Sequence, residues 1–408
     1  MNATNVNSTS KAETFDVVVV GGGPAGATAA NDLARRGHKV MLLDRAGRIK
    51  PCGGAIPPRL IRDFDIPDSL LVAHIKSARM VSPKEKRVDM PIDGGFVGIV
   101  DRAVFDEWLR ERAAAAGAER RAGNFERLSR DQDGVSLVEY RAKDAPDDAP
   151  TISVRARSII GADGAHSKIA KQAAVPYAER VRYVAAYHEI IRTPDVLPDA
   201  YAADRCDVYY QGRISPDFYG WIFPHGNTIS VGTGSAHRGF SLRGAVTTLR
   251  EVTGLDKTET LRREGAPIPM HPLRCWDNSR DVVLAGDAAG VVAPASGEGI
   301  YYAMAGGRLA AEAVELYLQT GDVRSLATAR KRFMKAHGKV FFILGIMQRF
   351  WYSSDRLRER FVSICQDPDV QKLTWEAYMN KELVRAKPMA HVRIFFKDIA
   401  HLLGLARS

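Results

Sequence analysis

Phe15–Gly26 reads FDVVVVGGGPAG, and this stretch decides the fold. Phe15–Val20 is a continuous apolar, β-branched run, the pattern of a parallel strand buried on both faces. Gly21-Gly22-Gly23-Pro24-Ala25-Gly26 follows as GxGxxG, and a helix over Ala27–Arg36 is expected to stop at Gly37. Lys39–Leu43 (KVMLL) supplies the second strand of a βαβ unit. In such a unit Gly21 permits the tight turn, Gly23 lets backbone approach a pyrophosphate, and Gly26 lets helix and strand pack closely. Pro24 and Ala25 lead into that helix, whose N-terminal N–H groups and dipole favour phosphate. Asp44, followed by Arg45, ends the second strand 18 residues after Gly26, where a carboxylate can accept ribose hydroxyl bonds. A dinucleotide site beginning almost at the N-terminus is the expectation.

The 408 residues suffice for two or three packed lobes, and a composition 45% apolar and 26% charged excludes disordered, collagen-like and disulfide-scaffold classes. The longest charge-free apolar run, Val340–Met347 (VFFILGIM), falls far short of the roughly 20 residues of a spanning helix. Met1–Ser10 is polar and lacks a signal core, so residues 1–13 read as a disordered leader and export is not expected. Cys52, Cys206, Cys275 and Cys365 lie far apart, and His188, His225 and His271 have no ligand spacing. No metal is expected, and a reducing cytosol is. The net charge is +10, and residues 321–408 hold 17 basic against 8 acidic residues. That tail carries no nucleic-acid-binding signature. Val392, Phe395, Phe396, Ile399, Leu402 and Leu403 recur at the spacing of one helical face. Two readings stand: a helix lying on an anionic membrane, or one docked on the protein's own core or a partner.

Further motifs say which dinucleotide. Leu284-Ala285-Gly286-Asp287-Ala288-Ala289 follows a strand (Asp281–Ala285) and resembles the flavoprotein motif whose aspartate contacts the ribityl chain of FAD. Gly161-Ala162-Asp163-Gly164 resembles the DG motif of flavoprotein hydroxylases and their reductase relatives. The three motifs stand in the order and spacing of that superfamily, which implies FAD. A single Rossmann fingerprint leaves a nicotinamide donor to bind transiently, and Cys52 lacks a CxxC partner for a redox disulfide.

Lys50-Pro51-Cys52-Gly53-Gly54-Ala55-Ile56-Pro57, Tyr219-Gly220-Trp221-Ile222-Phe223-Pro224 (YxWxFP) and Pro294-Ala295-Ser296-Gly297-Glu298-Gly299-Ile300 (PxxGEGI) narrow the family. Together they resemble the geranylgeranyl reductase family in its chlorophyll and bacteriochlorophyll branch, over about Phe15 to Tyr378. The resemblance implies an FAD enzyme, with NADPH as reductant, that saturates three of four double bonds of a geranylgeranyl chain to give phytyl. The substrate would be geranylgeranylated (bacterio)chlorophyll or geranylgeranyl diphosphate. The site would be cytoplasmic and peripheral to the inner or photosynthetic membrane, with other pigment-synthesis enzymes as further partners. Isolated trisubstituted alkenes are poor hydride acceptors, so protonation giving tertiary-carbocation character, quenched by hydride, is the expected chemistry. The rivals are a hydroxylase-class flavin monooxygenase and a flavin-bearing tethering module without turnover.

The expected fold is α/β: a Rossmann-type FAD-binding domain of the hydroxylase-like class (residues 14–60, 97–178 and 275–320), an antiparallel β substrate domain (61–96 and 179–274) and a helical C-terminal region (321–408). Pro294, Gly297, Gly299 and Ile300 would present backbone to the flavin ring. Gly53, Asp163 and Gly286 join the cofactor set. Arg102 opens a helix over Ala103–Ala116 and, by resemblance to an RxxFDxxL pattern, would face the cofactor; the alternative is an exposed helix-start arginine. Tyr219, Trp221 and Phe223 share one strand face and either line the isoprenoid channel or form ordinary sheet core. Cys52 and Tyr219 are the candidate proton donors, with a structural buried thiol the other reading of Cys52. Glu298 either orients its loop or is an ordinary helix-start carboxylate.

Overall fold

Two large sheets, a small one and a helical layer organise the protein, a computed structural model of which describes residues 12–46, 50–146 and 148–381. In the first sheet β1 (Thr14–Val20), β2 (Val40–Asp44), the start of β8 (Glu119–Arg130), β10 (Ile152–Gly161) and β16 (Val282–Leu284) run parallel in the order β8-β2-β1-β10-β16. Val17–Val20 and Val40–Leu43 are buried without alternation, as strands covered on both faces are. The far halves of β8 and β10 pair antiparallel with β9 (Ser136–Ala142). The inner half of β10, Ile159–Gly161, pairs with β16.

Helix α1 (Pro24–Ala34) packs against α3 (Arg102–Ala115) and α6 (Ile300–Thr320). Short helices α2 (Pro58–Asp63) and α4 (Lys168–Gln172) border the same core. A boundary at residue 60 falls inside α2, and Phe64 and Ile66 pack with the nucleotide-side core. A small sheet of β3 (Ala55–Ile56), β7 (Val97–Val100) and β4 (Leu71–Ile75) likewise crosses the division expected at residue 96. At the N-terminus Glu13 is already tied down: its carbonyl accepts from Arg155 N at 2.7 Å and its carboxylate from Lys39 Nζ at 2.8 Å.

The second sheet has the order β15 (Thr260–Pro269), β11 (Tyr183–Arg192), β14 (Thr228–Ser235), β13 (Gly220–His225), β12 (Arg205–Tyr209), β5 (Ser77–Val81), β6 (Arg87–Pro91). It departs from the wholly antiparallel expectation at one seam, since β5 and β12 pair in parallel. The reason is topological: β5 and β6 arrive from an earlier excursion of the chain and join the edge left by β12. Ile222, Ile229 and Val231 face α5 (Leu242–Val252), a helix within a stretch whose pattern suggested only strands. Trp221 and Phe223 point the other way, towards α7 (Thr328–Trp351), α8 (Asp355–Ile364) and α9 (Pro368–Asn380). The period-2 alternation of β13 thus divides a packed face from a cavity face. The tail stripe Val392–Leu403 and residues 1–11 of the leader lie outside the described residues.

Candidate active site

A cavity of about 900 Å³ runs from the carboxyl ends of β1, β2 and β10 to the space between the second sheet and α7–α9. This is where parallel α/β sheets bind ligands, and the volume lies at the upper end for small-molecule sites. At the sheet end, Gly21 has φ +108°, and a Cβ there would collide with the carbonyl of Ala162. A side chain on Gly26 would strike the carbonyl of Gly21, while one on Gly23 would meet nothing within 4 Å. The loop is therefore tight on its inner side and open on the cavity side. No side chain caps α1, so its first N–H groups are left for a ligand. These observations fit a dinucleotide pyrophosphate.

Of the cofactor residues expected from sequence, Gly21, Gly23, Pro24, Ala25, Asp44, Arg45, Cys52, Gly53, Arg102, Asp163, Gly286, Asp287, Gly297, Gly299 and Ile300 all line the cavity; Gly26 and Pro294 sit behind it. Asp44 Oδ2 accepts from Gly22 N and Oδ1 from Ala46 N, both at 2.9 Å, which fixes the carboxylate and leaves a lone pair on each oxygen. Asp163 is turned towards α4: Ser167 Oγ donates to it at 2.5 Å, Lys168 N at 2.7 Å and Ile169 N at 3.1 Å. Burial pushes its pKa up against those bonds. Asp287 pairs with Lys50.

Arg102 is buried rather than exposed, and its guanidinium grips Asp106 through two bonds of 2.8 and 2.7 Å. Burial opposes its charge, but Asp106 and the Cys52 sulfur outweigh that and raise its pKa. Arginine and aspartate one turn apart thus explain the RxxFDxxL spacing. Arg110, one further turn along, donates to the Gly22 carbonyl at 3.2 Å and braces the glycine loop. Sequence reasoning missed it, although its i+8 relation to Arg102 placed it on the same helical face.

Two of the family motifs meet here. A Cβ on Gly53 would lie 2.8 Å from the Phe223 ring, and one on Gly54 3.0 Å from His225 Nε2. The glycines let the Cys52 loop lie flat on β13, which presents Cys52 Sγ to the cavity within reach of Arg102. His225 Nδ1 donates to the Phe223 carbonyl at 3.0 Å, and burial lowers its pKa to about 4. Tyr219, Trp221 and Phe223 line the cavity, with ring centroids 6.1 and 6.4 Å apart along the series. The Tyr219 hydroxyl donates to the Ser296 carbonyl at 2.6 Å, and burial drives its pKa upward. Met80, Met90, Met347 and Trp375 extend the apolar wall.

Glu298 accepts from Tyr301 N at 2.9 Å and forms a buried ion pair of 2.7 Å with Lys381, just past α9. The PxxGEGI loop and the helical region are thereby joined, a link no local pattern announces. Among the described residues no group of three His, Cys, Asp or Glu comes together as a metal site.

A geranylgeranyl diphosphate reductase from Rhodobacter capsulatus is 58% identical over 391 residues, covering 96% of this chain and 98% of that protein. The chain belongs to the geranylgeranyl reductase family. The proteins of that name from Synechocystis and Arabidopsis thaliana match this reductase at 36% and 35% identity over 95% of its length, covering 97% and 85% of theirs. An FAD binding domain model matches residues 73–337, and an FAD dependent oxidoreductase model residues 16–55. The reductase is accordingly an FAD enzyme. A crystal structure of a geranylgeranyl bacteriochlorophyll reductase-like protein from Thermoplasma acidophilum superposes with a TM-score of 0.79 at 24% identity, over 93% of this chain and 99% of that one. A flavin-dependent brominase shares the fold at a TM-score of 0.73 and 16% identity, covering 95% and 99%.

Proposed function

We propose that the protein uses NADPH to saturate three double bonds of a geranylgeranyl chain, carried on (bacterio)chlorophyll or on diphosphate, to give phytyl. The observation that carries this reading is the continuity of the cavity: its glycine end meets the open N-terminus of α1, and its other end is walled by Met, Trp and Phe side chains. Glycines 21–26 and α1 would hold the FAD pyrophosphate, Asp44 a ribose, Asp287 the ribityl chain, and residues 294–300 the ring. Bound flavin supplies the hydride.

The protein's own groups supply the rest. The aromatic wall orients the alkene and excludes water. Each saturation takes one proton and one hydride. Cys52 would give the proton, since its Sγ faces the cavity beside the Arg102 guanidinium. Tyr219 has its proton committed to Ser296 and a raised pKa, so its part is to hold the loop. NADPH binds transiently, and the enzyme works on the cytoplasmic side, peripheral to the membrane that holds the pigment.

The test is anaerobic reduction of the purified flavoprotein followed by a geranylgeranylated pigment or geranylgeranyl diphosphate. Flavin reoxidation with stepwise gain of hydrogen pairs by mass spectrometry is expected, and the faster substrate names the order of reduction and esterification. Reoxidation by neither, or an oxygen-dependent hydroxylated product, would overturn the reading.

A further inference from the structure

Helix α7 has two unlike faces. Leu344, Met347 and Trp351 line the cavity, whereas Phe342, Ile343, Ile346 and Phe350 face outward. Phe342 is 70% exposed and Ile346 53%, an exposure that large apolar side chains on one helix stripe rarely keep in water. Phe342, Ile346 and Phe350 follow at i, i+4 and i+8 and form one ridge about 12 Å long. The other end of the same outward face is basic: Lys331, Lys335 and Lys339 are exposed, with Arg349 beside the apolar ridge. The helix carries six Lys and Arg and no acidic residue. Among the described residues no helix is long and apolar enough to cross a membrane.

We propose that this outward face of α7 docks on an anionic lipid bilayer. Phe342, Ile346 and Phe350 enter the acyl boundary, and the lysines of the preceding turns meet the headgroups. Charge selects this occupant over the protein's own residues 382–408. That segment holds five Lys and Arg against two acidic residues, so it would bring like charge to a basic helix, whereas an anionic surface attracts both. The inference deepens the peripheral-membrane reading above by naming a surface for it. It also places the channel wall within one helix diameter, about 10 Å, of the lipid. An isoprenoid held in the bilayer then has a short path to the face formed by Leu344, Met347 and Trp351.

The experiment uses the full-length holoenzyme and sedimentation with vesicles of phosphatidylglycerol mixed with phosphatidylcholine, against phosphatidylcholine alone. The intact protein should pellet with the anionic vesicles and be released by salt. F342D/I346D should lower the partition coefficient about tenfold or more, and K335Q and K339Q about fivefold each. None of these residues lines the cavity, so flavin content and turnover on detergent-dispersed substrate should stay at the intact level, which separates a failed surface from a failed reductase reading. Failure of the intact protein to bind would overturn the proposal, as would binding by F342D/I346D at the intact level. Loss of a dimer in F342D/I346D with vesicle binding unchanged would assign the face to a second copy instead.

Discussion

At the glycine end of the cavity two short stretches, Gly21–Ala25 and Ala295–Gly299, present backbone beside a few polar side chains, whereas the aromatic end gathers side chains from β5, β6, β12, β13, α7, α8 and α9. The first kind of wall recognises phosphate and ring edges through N–H groups, and at Gly21 and Gly26 it has no room for an added atom. The second recognises a flexible hydrocarbon by area and shape, a demand many side-chain sets can meet. Substitutions should therefore act steeply at one end and gradually at the other.

The largest expected effect is at Gly26. Gly26→Val forces a side chain into the Gly21 carbonyl, so the protein should be recovered without flavin or fail to fold, as read from the visible spectrum of the purified protein. Full flavin content would break the contrast. Cys52→Ala should leave flavin in place and lower turnover about 10²–10⁴-fold, the range of a lost general acid. Third comes the bond between the halves: Lys381→Met strands the buried Glu298 carboxylate and should cost roughly 3–5 kcal/mol in thermal or urea unfolding. Glu298→Gln in the same protein should recover much of it.

The pH response follows from His225, buried beside the Cys52–Gly54 loop. Burial holds its folded pKa near 4, below the ordinary 6.5, so the unfolded chain takes up a proton that the folded protein refuses. Stability should be fully present above pH 6.5 and fall between 6.5 and 4 by on the order of 3 kcal/mol. Urea midpoints at both limits, beside those of His225→Gln, measure that loss. The smallest effect belongs to Tyr219→Phe: one hydrogen bond of about 1 kcal/mol and less than tenfold in turnover. A fall as deep as that of Cys52→Ala would move the proton to the tyrosine.

The same contrast explains what the sequence disclosed. Gly21–Gly26, Asp44 and Asp287 were readable because backbone recognition forces particular residues into fixed local spacing. The motif around Arg102 pointed to a residue that lines the cavity, but the role of Asp106 emerged only from the ion pair. Tyr219, Trp221 and Phe223 could be assigned a shared face, since strand periodicity is local. Met80, Met90 and Trp375 could not be placed, because nothing in their own surroundings records which distant element they will meet. The parallel seam between β5 and β12 and the Lys381–Glu298 bond escaped for the same reason: both join stretches far apart in sequence.

That interleaving has a consequence for synthesis. The first sheet is closed by β16, which lies beyond β15, the last strand of the second sheet, and β5 waits for β12. Neither half can therefore finish as a vectorial, N-terminus-first unit on the ribosome. Until Leu284 has emerged, β10 carries an unpaired edge, and contacts of such long sequence separation are slow to form. The nascent protein should pass through a long-lived, aggregation-prone intermediate, and its yield should depend on chaperone supply more than on the strength of its finished core.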